Sequence, residues 1–176
     1  MYIQLVLNLS LLVSISIISG FIDAQMGRNS IVRQVMQGLL FAAAACVGIL
    51  EPLQLWPGVI FDGRSIVISL AALFFGPLAG IIAVLPPLAL RIWIGGPGLG
   101  MGILVILSAA ATGLGFRKLY KIPDEIPGWR RMYLFGLIVH AEMVLFMFIA
   151  LPASVRETTI RNMALPTILL YPFATL

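Results

Sequence analysis

Charge is scarce in this chain. Only 10% of its 176 residues are Asp, Glu, Lys or Arg, where a soluble domain carries about 25%. That shortage excludes a conventional soluble fold. Cysteine is scarcer: the single Cys46 excludes an internal disulfide and a thiolate metal cluster, and its place in an apolar run suggests a buried, inert thiol. There is one histidine, His140. No nucleophile–base–orienter set, metal-ligand spacing or phosphate loop is present, so nothing argues for catalysis by these residues, and no cofactor is expected. The net charge of +4 and pI near 9.7 come without a dense basic patch interleaved with aromatics, so no nucleic acid partner is expected.

What is abundant is apolar surface. Hydrophobic residues make up 61% of the chain and are blocked into long runs with charges between them. This is the pattern of an all-α integral membrane protein with several spans. The N-terminus lacks a basic start and a small-residue cleavage site, so it reads as a retained helix and not a removed signal. Spans are expected at about Ile3–Ile22, Gln34–Leu50, Met101–Leu114 and Met132–Leu151, and a last apolar segment begins near Met163. Asp23–Arg33, Glu51–Ser65, Arg117–Arg131 and Pro152–Asn162 read as loops. The last segment stops at Leu176 after about 14 residues, or about 21 Å of helix, so the chain reads as part of a longer protein.

Between Phe61 and Gly100 lies the stretch on which the rest turns. Its apolar run, longer than the ~20 residues a span needs, has Arg64 at one end and Arg91 at the other, with Gly76-Pro77 near its middle. Proline lacks an amide donor and disfavours helix in the residue before it. Two readings follow: one long tilted helix with the arginines at opposite faces, or a short hairpin that returns them to the same face. Lys and Arg positions arbitrate. With a turn at Gly76-Pro77, one side holds seven (Arg28, Arg33, Arg117, Lys118, Lys121, Arg130, Arg131) and the other four (Arg64, Arg91, Arg156, Arg161); with a single span the split is six against five. Such asymmetry sets orientation, which favours the hairpin, re-entrant and short in both arms, with the C-terminal end cytoplasmic. The expected fold is about five full spans plus this hairpin. Ala72, Gly76 and Gly80 recur every four residues, a small-residue face open to close helix approach.

Two guanidinium groups on one rim form a fork-shaped anion site suited to a carboxylate. The glycine turn with Gly95 and Gly96 offers backbone amides beside them, and Asp62 sits next to Arg64. The alternative is that each arginine snorkels to headgroups or that Arg64 pairs with Asp62. His140 and Glu142, two apart, point to different faces of their helix. Each is a candidate as an intramembrane ionisable group, although a packed, hydrogen-bonded histidine is an equal reading. Ser108 and Thr112 read as packing residues first and ligand contacts second.

The segment FDGRSIVISLAALFFGPLAG followed by LRIWIGGPG resembles the LytS/YehU-type five-transmembrane sensor domain. The matching elements are Asp62-Gly63-Arg64, Gly76-Pro77-Leu78-Ala79-Gly80 and Arg91-Ile92-Trp93-Ile94-Gly95-Gly96. VHAEMVLFMFIALP, from Val139 to Pro152, is similar to the family's late histidine-containing helix, and PTILLYPFATL to its last span. The resemblance implies a bacterial inner-membrane sensor over 1–176, coupled through its last helix to a cytoplasmic histidine kinase or diguanylate cyclase and working as a homodimer. It implies a small carboxylate ligand, such as pyruvate, held by Arg64 and Arg91. Where some members carry small polar residues, this chain reads Met101-Gly102-Ile103-Leu104-Val105. A looser likeness, in pattern and architecture, is to the substrate-binding subunits of energy-coupling-factor vitamin transporters. A transport subunit and a bare membrane anchor are therefore the competing functions.

Overall fold

The computed structural model describes residues 2–27, 30–50, 53–56, 59–61, 63–122, 127–169 and 171–175. Among them the helices run α1 Tyr2–Gln25, α2 Ile31–Leu50, α3 Arg64–Phe75, α4 Pro77–Ile94, α5 Leu99–Leu119, α6 Trp129–Ala150 and α7 Ala153–Leu169, and a 3-10 turn closes the chain at Tyr171–Thr175. Four helices, α2, α4, α5 and α6, are long and apolar enough to cross a membrane. The 24-residue α1 is longer than any of them. Large apolar side chains such as Leu85, Leu107, Leu145 and Phe148 point outward, as lipid-facing helices require. The chain is thus an all-helical membrane bundle apart from one small ribbon.

That ribbon is a correction. Glu51–Ser65 was expected to be a loop, yet β1 Leu53–Trp56 pairs antiparallel with β2 Val59–Phe61, matching Leu53 with Phe61 and Gln54 with Ile60. Large apolar and β-branched residues on both sides of Pro57-Gly58 carry the strand propensity that produces it.

The central stretch doubles back. Gly76 adopts φ 92°, a conformation open to glycine at little cost, and Pro77 starts α4 in the position where its missing amide is not needed. A Cβ placed on Gly80 would sit 3.1 Å from the Cβ of Ala72. In an uninterrupted helix those two residues would lie about 12 Å apart. The single-span reading is therefore wrong. The small-residue recurrence serves the hairpin itself, letting its own arms close. The arms are unequal: α3 has 12 residues and α4 has 18, about 18 and 27 Å, so α4 is a full span and only α3 falls short. Pro86 and Pro87 do not end α4, which continues through both.

Ten of the twelve residues of α3 are buried. Gly113 of α5 lets that helix press onto the backbone of α3 at Ser69 and Leu73, and Gly38 of α2 admits Ala79 and Ile82 of α4. At the hairpin tip Arg117, from the end of α5, donates from Nη1 to Leu73 O at 2.9 Å and Phe74 O at 3.0 Å. These are among the last carbonyls of α3, which have no partners within their own helix, and a cation there also meets the negative end of the helix dipole. Arg117→Leu should cost about 1–3 kcal/mol, the cost of leaving such acceptors unsatisfied. A melting temperature equal to wild type would refute the cap.

Arg33, expected in a loop, lies buried inside α2. It forms a two-pronged ion pair with Asp23, Nε to Oδ1 at 2.7 Å and Nη2 to Oδ2 at 2.9 Å, and stacks 5.1 Å from the centre of the Phe75 ring. Gln37 adds a donor to Asp23 Oδ1 at 2.8 Å. The tip end of the hairpin is thereby tied to α1, α2 and α5.

The segment 152–162, expected to be a loop, is helical from Ala153 onward. Arg156 fixes the start of α7 to the end of α6 by donating from Nε and Nη2 to Leu151 O at 3.0 and 2.7 Å. At the other end Thr175 Oγ1 donates to Met132 O at 3.0 Å. The final segment therefore runs antiparallel along α6 and brings residue 175 to the same end of the bundle as Gly76 and Arg117.

Candidate functional site: an arginine rim opposite the hairpin tip

Arg64 opens α3 and Arg91 sits in the last turn of α4. Counted from Gly76, Arg64 lies about 18 Å along one arm and Arg91 about 22 Å along the other. Both thus belong to the end of the bundle away from the tip. Both are buried, at 6% and 5% exposure, which a guanidinium tolerates only with polar company.

The surroundings of Arg91 explain the glycines that follow it. Gly95 and Gly96 take φ of 67° and 88°, which turns the chain back so that Arg91 Nη1 reaches Gly95 O at 2.8 Å. Gly100 and Gly102 belong to α5. A Cβ on Gly102 would stand 2.5 Å from Arg91 Nε, and one on Gly98 would stand 3.2 Å from Arg91 Nη2. The guanidinium therefore lies against the first turn of α5. That turn exposes amide groups and carries the positive end of the helix dipole. Two sources of positive potential converge here.

The other predicted residues fall elsewhere. Asp62 lies outside the described residues. His140 is fully buried, its Nδ1 donates to Gly136 O at 2.6 Å, and its ring lies 5.5 Å from that of Tyr171. It sits ten residues before Ala150, about 15 Å down α6 from the rim, facing the final segment. With its proton on Nδ1, a neutral ring presents Nε2 as an acceptor, the wrong polarity for an anion. Glu142 points to α5, where Oε1 accepts from Thr112 Oγ1 at 2.7 Å; a carboxylate there would repel an anion. Ser108 Oγ donates back to Val105 O at 3.3 Å, so it serves its own helix. His140, Glu142 and Ser108 thus stand in the middle of the bundle, and the rim keeps Arg64, Arg91, Gly95 and Gly96. Gly102, not singled out as a site residue from the sequence, is what admits Arg91 to α5. Its signal was its spacing, one helical turn past Gly98.

The bundle thus carries its two buried arginines toward one end and residue 175 toward the other. The family model described as the 5TMR of 5TMR-LYT matches residues 11–176. The chain belongs to this family of five-transmembrane LYT-type domains, the transmembrane sensory domains of signalling receptors; the family is sensory, not catalytic. Neither a curated protein nor a solved structure matches the chain.

Proposed function

We propose that this domain binds a small anionic metabolite, a carboxylate of pyruvate size, at the rim formed by Arg64 and Arg91 on the outer face of the bacterial inner membrane. The observation that carries this reading is Arg91 packed against the positive end of α5, a charge arrangement that an anion completes. The sidedness rests on the sequence tally that goes with the hairpin, in which one side holds seven Lys and Arg positions and the other four, and the richer side faces the cytoplasm. Residue 175 then emerges in the cytoplasm, where the output domain of a homodimeric receptor, a histidine kinase or diguanylate cyclase, follows it. The ligand acts by unequal affinity for two arrangements of the bundle, with coupling of about 1–3 kcal/mol.

The test is a thermal-shift screen of the purified chain in detergent against small carboxylates, with amines and neutral amides of equal size as controls. Ligand at about 100 times its dissociation constant adds about 2.7 kcal/mol of stability, so at least one carboxylate should raise the melting temperature. Stabilisation by the amines, or by no carboxylate at all, would overturn the reading.

A further inference from the structure

α7 packs on α6 through Val155, Ile160 and Met163, and its opposite face carries Glu157, Thr158, Arg161 and Asn162, all exposed around a groove of about 400 Å³. The depth of this groove follows from the contact of Tyr171 with His140. Arg161 lies ten residues from Tyr171 toward the rim, and Ala150, the end of α6, lies ten from His140, about 15 Å in each case. Arg161 therefore stands level with the end of α6, at the membrane edge, and Glu157 about 6 Å beyond it. The bond from Arg156 to Leu151 O fits the same alignment. Leu165 and Leu169, also exposed, stand about 6 and 12 Å deeper than Arg161, where α6 turns Leu145 and Phe148 to lipid. Helical register puts Glu157 and Arg161 on one wall of the groove and Thr158 and Asn162 on the other, with Leu165 in line between the walls. Glu157 precedes Arg161 by four residues, the order and spacing that favour a pair within one helix. Among the described residues, however, neither makes an ion pair.

We propose that this groove binds one phospholipid with an ethanolamine headgroup, drawn from the leaflet at the rim end. The order of side chains identifies the occupant. Counted outward from its chains, such a lipid presents esters, then phosphate, then ammonium. Counted outward along α7, the groove presents Leu169 and Leu165, then Asn162 and Arg161, then Thr158 and Glu157. The acyl chains lie on the leucines. The Arg161 guanidinium donates to the phosphate, and the ammonium donates to the Glu157 carboxylate, both as charge-assisted hydrogen bonds. Thr158 and Asn162 face the ester and phosphate oxygens. A purely anionic headgroup would meet Arg161 equally well but would set no cation against Glu157. A choline headgroup carries the cation without an N–H to donate. Charged side chains facing out of a bundle at the membrane edge take headgroups as partners, and here one of each sign is offered. The lipid site is separate from the anion rim and does not depend on it, so Arg64→Ala or Arg91→Ala should leave lipid binding intact.

Competition binding tests it. The probe is phosphatidylethanolamine with a fluorophore on one acyl chain, bound to the delipidated chain in detergent and read by anisotropy. Unlabelled phosphatidylethanolamine should displace it about tenfold better than phosphatidylcholine or phosphatidylglycerol of the same chains. Glu157→Gln should bring the ethanolamine lipid down to the choline level and leave the other two unchanged. Arg161→Gln should weaken all three lipids by about tenfold, since the phosphate is common to them. Both side chains are exposed and outside any ion pair, so the two variants should melt with the wild type. Glycerophosphoethanolamine, the same headgroup without chains, should compete at least about tenfold worse than the intact lipid. A Glu157 that pairs only with Arg161 predicts no headgroup preference. Absence of saturable binding, equal displacement by the three lipids, or an ethanolamine preference that survives Glu157→Gln overturns the proposal. Equal competition by glycerophosphoethanolamine also overturns it, because the leucines would then hold nothing.

Discussion

Gly113→Ala is expected to lower the melting temperature of the unliganded protein sharply, by an amount equivalent to about 2–4 kcal/mol. The added methyl would stand 2.9 Å from the Cβ of Ala72 and 3.2 Å from Leu73 N, and would press closer still on Ser69 O. Two of those atoms are backbone, so no side chain can swing away. α3 itself would have to move, and α3 is the most enclosed helix of the bundle, with α4 and α2 on one side and α5 on the other. Gly115→Ala supplies the control two residues along the same helix. A Cβ there meets nothing within 4 Å, and alanine favours helix by about 0.8–1 kcal/mol over glycine, so its melting temperature should stay level or rise. Equal responses in the two variants would show that α3 and α5 are not in backbone contact. Arg64 is carried at the far end of α3, so Gly113→Ala should also weaken anion binding, whereas Gly115→Ala should not.

The bundle was largely legible because lipid imposes a simple rule: long apolar runs become helices, and charges mark their ends. The hairpin was legible from two weak signals that agreed, the Gly76-Pro77 break and the Lys/Arg tally. Both arms were read as short for a crossing, yet α4 passes through Pro86 and Pro87 and reaches the length of a full span. Arg117 left no local trace of its role, since it caps carbonyls more than forty residues earlier in the chain; such a contact exists only once α3 and α5 lie side by side. Arg33 was assigned to a loop by its charge. Its burial depends on Asp23, Gln37 and the Phe75 ring together, none sufficient alone. α7 was the hardest to see. Its first half is too polar to register as a span, and what makes it a helix at that place is the surface of α6, not its own periodicity. Arg64 and Arg91 stood out in the sequence as isolated charges bordering an apolar run. His140, Glu142 and Ser108 were drawn in because polar groups inside a membrane attract functional readings, but helix register sends them to other partners.

Removing either rim arginine should cost at least about tenfold in ligand affinity, because a charge-assisted hydrogen bond contributes about 1.5–3 kcal/mol, or about 10- to 150-fold. Arg64→Lys and Arg91→Lys keep the charge and lose the planar fork, so their losses should be smaller than those of the alanine variants but still measurable. Gly102→Ala keeps both guanidinium groups and moves one: its methyl would occupy the space 2.5 Å from Arg91 Nε, and affinity should fall although no charge is lost. Arg91→Met fills similar space without charge and should respond to none of the carboxylates that stabilise the wild type. A rim that is merely structural would leave that ligand response intact in Arg91→Met. Titration of the melting temperature with ligand, on wild type and these variants side by side, separates the two outcomes in one experiment.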